Sequence, residues 1–219
     1  MKVIALDPSR ALEEAIASIG TEERVVVCGP PSEEDTLNKR LAIIDNTAEE
    51  LIEASLAIDV EAWFREQRED LESEWEEDLS EREGEWPGEA SVKQGFMGTI
   101  DIRTGKPFKD VIGVRVPVRE SWKVPAHIQY GGWNDCPEPD VHCAIWRYWE
   151  EKYGAAIIAA SDDVLEAYVA NPPRTEDEAM ALAWEQCLYC YDIVDQGAET
   201  IAKLAAGLIN HQFWYFWWD

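Results

Sequence analysis

The chain has 219 residues, which is enough for one sizeable hydrophobic core or for one domain with a smaller appendage. Its net charge of -26 argues against direct nucleic acid binding, because phosphates are neutralised by Lys and Arg. The same charge disfavours anionic membranes and favours a basic protein as partner. Eleven Trp and a hydrophobic fraction of 46% argue against a disordered chain.

The cellular compartment is predicted from the N-terminus and the cysteines. Residues 3–6 form an apolar run that is too short for a secretory signal, and no apolar run approaches the ~20 residues of a membrane span. Five cysteines are an odd number, so reduced thiols fit better than a disulfide framework. We therefore expect a cytoplasmic protein.

The first 45 residues predict a small α/β segment. Residues 2–6 and 24–28 have the apolar, β-branched composition of strands. A helix is expected between them, capped by Ser9 and ending before Gly20. Residues 41–44 are predicted to form a further strand.

Residues 47–82 are predicted to be helical. Thr47 and Glu50 form a capping box, and a second helix is expected to begin after Asp59. Its apolar stripe, at helical spacing, consists of Val60, Trp63, Phe64, Gln67, Leu71 and Trp75.

The opposite face of this helix is acidic. Residues 66–85 contain eleven acids and two Arg. Acids interleaved with Trp could imitate phosphates and engage the Lys and Arg of a nucleic-acid-binding protein, although such a run is more often a solvated face. The candidate partner surface consists of Glu72, Glu74, Trp75, Glu76, Glu77 and Asp78.

The remainder of the chain predicts a compact α+β domain over residues 91–219, following an N-terminal part over residues 1–90. Strands are expected at 98–102, 111–118, 123–130, 155–160, 164–170 and 213–218, and helices at 138–153, 175–190 and 199–209. The predicted fold is a mixed or antiparallel sheet covered by helices, with an acidic helical N-terminal part and the aromatic C-terminal strand buried in the sheet.

The C-terminal strand carries six aromatic residues before Asp219. Alternation places three aromatics on each face, so both faces are apolar. We therefore expect a central strand, covered on both faces, that anchors the core.

The first candidate site surrounds a pair of glycines. Gly131 and Gly132 permit a tight turn or the close approach of a ligand. Cys136 precedes a predicted helix, whose N-terminus favours a thiolate, and His142 is a candidate base. A packed core stripe is the more frequent meaning of such a pattern. The candidate binding residues are Gly131, Gly132, Trp133, Asn134, Asp135, Asp192, Asp195 and Gln196.

A second candidate site is Cys187 with Cys190, whose spacing suits zinc or redox chemistry. Their position on an apolar helix stripe instead favours two buried cysteines. Calcium is not expected, since no loop has the acid and glycine spacing of an EF-hand. The sequence predicts neither a metal nor a cofactor.

Several of these motifs, in this order, resemble the bacterial domain-of-unknown-function 4253 family over residues 95–219. They are Gly131 to Pro137, Tyr148-Trp149, Tyr153 to Ala155, Glu185-Gln186, Asp192 to Gly197 and the aromatic ending. The resemblance implies a bacterial cytoplasmic protein without an established activity.

The resemblance also bears on the cysteines. Cys136 and Cys190 match cysteines of the family, and His142 matches a frequent histidine. Cys187 lies outside the pattern, and Tyr191 stands where the family usually has Pro. A site that pairs Cys136, Cys190 and His142 is therefore favoured over zinc at Cys187.

Three functions remain open. The leading hypothesis is a non-enzymatic acidic interaction protein, such as an immunity-like inhibitor of a basic toxin or nuclease. The first alternative is a hydrolase or transferase with Cys136 as nucleophile, His142 as base and Cys190 nearby. The second alternative is a small-molecule-binding domain with an aromatic cleft.

Overall fold

The computed structural model describes residues 1–42, 46–75, 82–87 and 95–219. Its strands are β1 Lys2–Leu6, β2 Arg24–Gly29, β3 Ile100–Asp101, β4 Lys106–Pro107, β5 Val111–Val116, β6 Ala155–Ala160, β7 Val164–Val169 and β8 Phe213–Trp217. Its helices are α1 Ala11–Ala17, α2 Glu33–Ala42, α3 Ala48–Ser55, α4 Val60–Trp75, α5 Val124–Ile128, α6 Pro139–Tyr153, α7 Glu176–Tyr189 and α8 Ile201–Leu208. The predicted α+β class is confirmed.

One six-stranded sheet organises the fold, with the order β1-β5-β2-β6-β7-β8. Every neighbouring pair is antiparallel except β2 and β6, which run parallel with Val27 opposite Ala159. The sheet draws strands from both sides of residue 90, where the domain division was predicted. Because β2 and β6 are parallel, their carboxyl ends meet at one edge, where ligands bind in open α/β sheets.

The two faces of the sheet are covered by different helices. On one face, Trp149 of α6 lies 5.5 Å from Trp214 and 5.6 Å from Phe216, measured between ring centroids. On the other face, Ala15 of α1 belongs to a smaller apolar cluster that includes Ile158. The larger aromatic core therefore lies between the sheet and α6.

Several sequence predictions of local structure are confirmed. The predicted capping box of Thr47 with Glu50 forms, and a second capping box joins Thr175 and Glu178. The strands predicted at 155–160 and 164–170 form and pair as an antiparallel hairpin, and α6 begins at Pro139, which suits a first helical turn because that position needs no backbone N–H.

Three local predictions were wrong. Residues 123–130 contain the end of a 3₁₀ turn and then α5, because Pro125 fits a first helical turn and Gln129 ends the helix at a φ of 51°. Leu41 belongs to the end of α2 instead of a strand, while residues 43 and 44 lie outside the described residues. Ser9 bonds Asp7, and α1 begins later, at Ala11.

The expected central position of the aromatic strand was also wrong, since β8 is the last strand of the sheet. Trp214, Phe216 and Trp218 face the core and are at most 2% exposed. The side chains of Tyr215 and Trp217 are half-buried on the other side. The strand thus anchors the core through one face, and its second face is less covered.

Within the described part of the chain, no helix combines the length and apolar character that crossing a membrane would require.

Candidate functional site

The glycine turn packs against the protein itself. At Gly131, φ is +116°, and an added Cβ would lie 1.9 Å from the Pro137 carbonyl oxygen and 2.9 Å from His142 Nε2. The N–H of Gly132 donates to the carbonyls of Cys136 and Pro137, at 3.2 and 3.0 Å. The close backbone approach predicted here therefore serves internal packing.

Cys136 and His142 do meet. The sulfur of Cys136 lies 3.3 Å from His142 Nε2, and His142 Nδ1 lies 2.5 Å from the Tyr189 hydroxyl. That hydroxyl accepts the indole N–H of Trp146 at 2.9 Å. Sequence reasoning missed Tyr189 and Trp146, which complete a chain of four polar groups inside the aromatic core.

The roles of the two His142 ring nitrogens depend on which of them carries the proton. If Tyr189 donates to Nδ1, then His142 carries its proton on Nε2 and donates it to the sulfur of Cys136. This arrangement satisfies the donors of Trp146, Tyr189 and His142 together. In this tautomer Nε2 holds a proton already, so it does not serve as a base towards Cys136.

Burial keeps both groups uncharged. His142 is 0% and Cys136 4% exposed. Burial lowers the pKa of His142 to about 3, with a smaller effect from Arg40, and burial followed by the proximity of Cys190 raises the pKa of the Cys136 thiol well above its usual value. The contact distance of a Cys–His pair is present, but both side chains are buried, whereas catalysis would need them to be open to a substrate.

The other cysteines serve the core. The Cys190 thiol donates to the Trp217 carbonyl at 3.0 Å, and burial raises the pKa of Cys187 to about 12. Among the described residues, no three His, Cys, Asp or Glu side chains are arranged to hold a metal ion.

Several candidate binding residues hold the end of the chain. The Asn134 amide donates to the Asp219 carbonyl at 2.8 Å, and Asp192 accepts the Asp219 N–H at 3.0 Å. Gln196 donates to Asp192 at 3.0 Å, and Asp195 pairs with Arg82 at 3.2 Å. These contacts bring the candidate residues of segments 131–135 and 192–196 together around Asp219.

Trp133 packs on Arg40, whose guanidinium lies 4.7 Å from the ring centroids of both Trp133 and Tyr130. Arg40 also donates to the Ser161 carbonyl at 3.0 Å. The remaining candidate in this loop, Asp135, is exposed.

The predicted partner surface is described only in part. Glu72 is exposed and pairs with Arg68 at 3.3 Å, and Glu74 and Trp75 lie in the last turn of α4. The remaining members, Glu76, Glu77 and Asp78, lie outside the described residues.

A separate acidic cleft of about 270 Å³ lies where β2 and β6 end. Its floor includes Gly29, Ala159 and Ser161, and α2 begins beside it. The acids that line it are Glu33, Asp101, Asp163 and Glu166, and Arg103 is the basic residue in its wall.

We refer to this cleft as the acidic cleft. Its most unusual residue is Glu166, because the carboxyl group is buried. It is 1% exposed, and its Oε2 accepts the Met97 N–H at 2.7 Å, while Oε1 has no hydrogen-bond partner among the described residues. Burial raises the pKa of Glu166 to about 8, against smaller lowering effects of the backbone N–H groups of Met97 and Gly98. A buried carboxyl oxygen without a partner costs free energy, which a ligand could recover.

Glu33 contributes a second carboxyl oxygen that lacks a hydrogen-bond partner. Its Oε2 is buried without a described partner, and burial, followed by the proximity of Asp162, raises the pKa of Glu33. The nearby Arg40 is directed to the backbone of Ser161 and Asp162 instead. The acidic cleft thus contains two unsatisfied carboxyl oxygens.

Residues 113–219 match the model of a family described as Domain of unknown function (DUF4253). The predicted resemblance is confirmed, although the match begins at residue 113 instead of 95. No curated protein and no solved structure matches the chain.

The segment that matches DUF4253 contributes Glu166 to the acidic cleft, whereas Glu33 comes from the segment upstream of the match. Sequence reasoning missed both residues. The available signal was an acid at the centre of an otherwise apolar strand, Val164-Leu165-Glu166-Ala167-Tyr168-Val169. A charged side chain is rarely buried in a sheet unless it has a partner.

Proposed function

We propose that this protein binds a small cationic molecule, of the amine or amidine class, in the acidic cleft. The observation that carries the proposal is the unpartnered Oε1 of Glu166, a buried atom in the wall of a cleft at the carboxyl ends of parallel strands. This function is the small-molecule alternative of the sequence analysis, and the acidity of the chain favours a cationic ligand.

A cationic hydrogen-bond donor would satisfy the unpartnered carboxyl oxygens of the acidic cleft. A charge-assisted hydrogen bond contributes about 1.5–3 kcal/mol, roughly twice a neutral one. An amine carries up to three N–H donors, so one ligand group could bond Glu166 and Glu33 together.

Binding should depend on pH. The titratable groups that line the cleft with Glu166 are Cys28, Glu33, Asp101, Arg103, Asp163 and Tyr215. Because the pKa of Glu166 is about 8, a cation must ionise this carboxyl when it binds at neutral pH. We expect affinity to rise from pH ~6 to pH ~8, with release of a proton.

The test compares three probes of equal length, butylamine, butanol and butyrate, by calorimetry in about 0.15 M salt, which screens non-specific attraction to the acidic surface. Butylamine should bind, and butanol and butyrate should not. Glu166→Gln should weaken butylamine binding at least tenfold, while Glu61→Gln, which removes an exposed charge from α4, should leave it unchanged. Absence of butylamine binding at millimolar concentration, or equal binding by Glu166→Gln, would overturn the proposal.

A second candidate function is recognition of a basic protein, as an immunity-like inhibitor would require. Its support is the net charge of -26 and the exposed acids of α4, which are Glu61, Glu66, Glu69, Asp70 and Glu72. The test is a pull-down from lysate at low and high salt, with the triple variant Glu61→Gln, Glu66→Gln, Glu69→Gln as control. A basic protein retained at low salt by the native chain but not by the variant would support it, and equal retention would refute it.

We also propose a cytoplasmic location. All five cysteines are free and buried, which suits a reducing compartment. Localisation of a fluorescent fusion in intact cells tests this proposal, and a fusion found outside the cytoplasm would refute it.

A further inference from the structure

A second, larger cleft of about 840 Å³ adjoins the acidic cleft. It lies along α8 and β8, and its volume is in the range of small-molecule sites. The two clefts share part of their walls, and the shared residues are Met97, Ile102, Asp163, Val164 and Tyr215. One ligand could therefore extend from one cleft into the other.

The larger cleft, hereafter the aromatic cleft, is mainly apolar. Phe213, Tyr215 and Trp217 contribute the less covered face of β8, and Leu204 and Leu208 contribute α8. This lining accounts for the aromatic residues on the outer side of a strand that has no further strand beside it. An apolar or aromatic group would bury surface there, and such burial is favourable.

The aromatic cleft also contains two unsatisfied donors. Gln186 Nε2 and Trp214 Nε1 are buried without a described hydrogen-bond partner, and both residues line the cleft. Gln186 is 2% exposed, as is Trp214. The aromatic cleft therefore has unsatisfied hydrogen-bond donors, whereas the acidic cleft has unsatisfied carboxyl oxygens, those of Glu33 and Glu166.

We infer that the two clefts form one elongated site for an acylated diamine or a similar peptide-like cation. Its amine or amidine group would bond Glu166 and Glu33, its apolar body would lie along the outer face of β8, and its carbonyl oxygen would accept from the Gln186 amide. This inference rests on the proposed function, which requires only the cationic end.

The expected gain in binding affinity can be given for each part of the ligand. Each methylene that enters the aromatic cleft should tighten binding about fourfold, equivalent to about 0.8 kcal/mol. A buried phenyl group should tighten it on the order of thirtyfold. A carbonyl that bonds a buried donor should add roughly fivefold.

The experiment measures dissociation constants for three probes: butylamine, 4-phenylbutylamine and N-benzoyl-1,4-diaminobutane. The expected order is increasing affinity from the first to the third. Leu204→Ala should reduce the advantage of 4-phenylbutylamine over butylamine, whereas Leu56→Ala, at an exposed leucine outside the cleft, should not.

Gln186→Leu tests the carbonyl contact. It should lower affinity for N-benzoyl-1,4-diaminobutane about fivefold without changing that for butylamine. Thermal unfolding of each variant verifies that it folds.

The outcomes separate the two proposals. If butylamine binds through Glu166 but the phenyl probes bind no more tightly, the elongated site is refuted and the proposed function stands. If the phenyl probes bind equally well to native protein and to Glu166→Gln, the cationic site is refuted. Equal affinity of native protein and Gln186→Leu for the benzoyl probe would refute the carbonyl contact.

Discussion

Replacement of Glu166 by Gln should stabilise the protein at alkaline pH. The pKa of this carboxyl is about 8 in the folded chain, against 4.5 for an ordinary glutamate. Between these values the folded state binds the proton and the unfolded state does not. Stability contributed by this site is therefore present at low pH and lost as pH rises from 4.5 to 8.

The loss is large because the side chain is 1% exposed. Above pH ~8 it amounts to about 5 kcal/mol, at ~1.36 kcal/mol for each pH unit between the two pKa values. Gln cannot ionise, and its amide oxygen can still accept the Met97 N–H. An unpartnered amide N–H in the variant costs about 1–3 kcal/mol, but this cost does not change with pH.

The assay is urea unfolding of the native chain and Glu166→Gln across the pH range, with Glu61→Gln as the exposed control. The difference in unfolding free energy between Glu166→Gln and native protein should grow by about 4 kcal/mol from pH ~5 to pH ~9. Glu61→Gln should show no comparable trend. A difference for Glu166→Gln that is constant with pH would refute the burial of an ionisable Glu166, and with it the basis of the cationic site.

Three further predictions concern the aromatic core and the glycine turn. Gly131→Ala should destabilise the fold by more than about 4 kcal/mol in urea unfolding, because its Cβ would overlap a backbone carbonyl. The control Gly20→Ala, also at positive φ but with open space around it, should cost only about 1 kcal/mol. Similar costs for the two variants would contradict the close packing of Gly131. Phe216→Ala should cost about 3–5 kcal/mol, and a cost below about 1 kcal/mol would contradict the anchoring role of β8. Cys136 should react with iodoacetamide at pH ~8 at least tenfold more slowly than a free thiol until urea unfolds the chain; a faster native reaction would restore the enzyme alternative.

Much of the local structure follows from sequence because short-range signals determine it. The capping boxes at Thr47 and Thr175 mark two helix starts through bonds that span three residues. The segment 123–130 was misassigned because its Val, Ile and Tyr favour strands, while Pro125 admits a helical start and packing selected the helix. Local propensity was overridden there by tertiary contacts.

The position of β8 illustrates a different difficulty. Two apolar faces are typical of a central strand, yet the same pattern suits a last strand whose outer face lines a cleft. Apolar side chains on one face of a strand indicate that this face is shielded from water, but they do not indicate which part of the protein shields it. Strand order depends on contacts between distant segments, which a single sequence does not show.

The candidate site was predictable only in part. The sequence places Cys136 just before the helix that carries His142, and a turn followed by a helix brings the two side chains into contact. Their charge states were not predictable, since Tyr189 joins from 47 positions away and the surrounding aromatics exclude water. Burial in this setting offsets the effect of the helix N-terminus on the thiol.

The acidic cleft shows why the family match alone would not lead to the proposed function. Glu166 lies within the DUF4253 domain, but Gly29 and Glu33 belong to β2 and α2, upstream of the match. The cleft exists because β2 inserts between β5 and β6, which places the start of α2 beside the β6–β7 hairpin. A ligand bonded to both carboxyls would therefore connect the N-terminal segment to the DUF4253 domain, and its binding should raise the stability of both together.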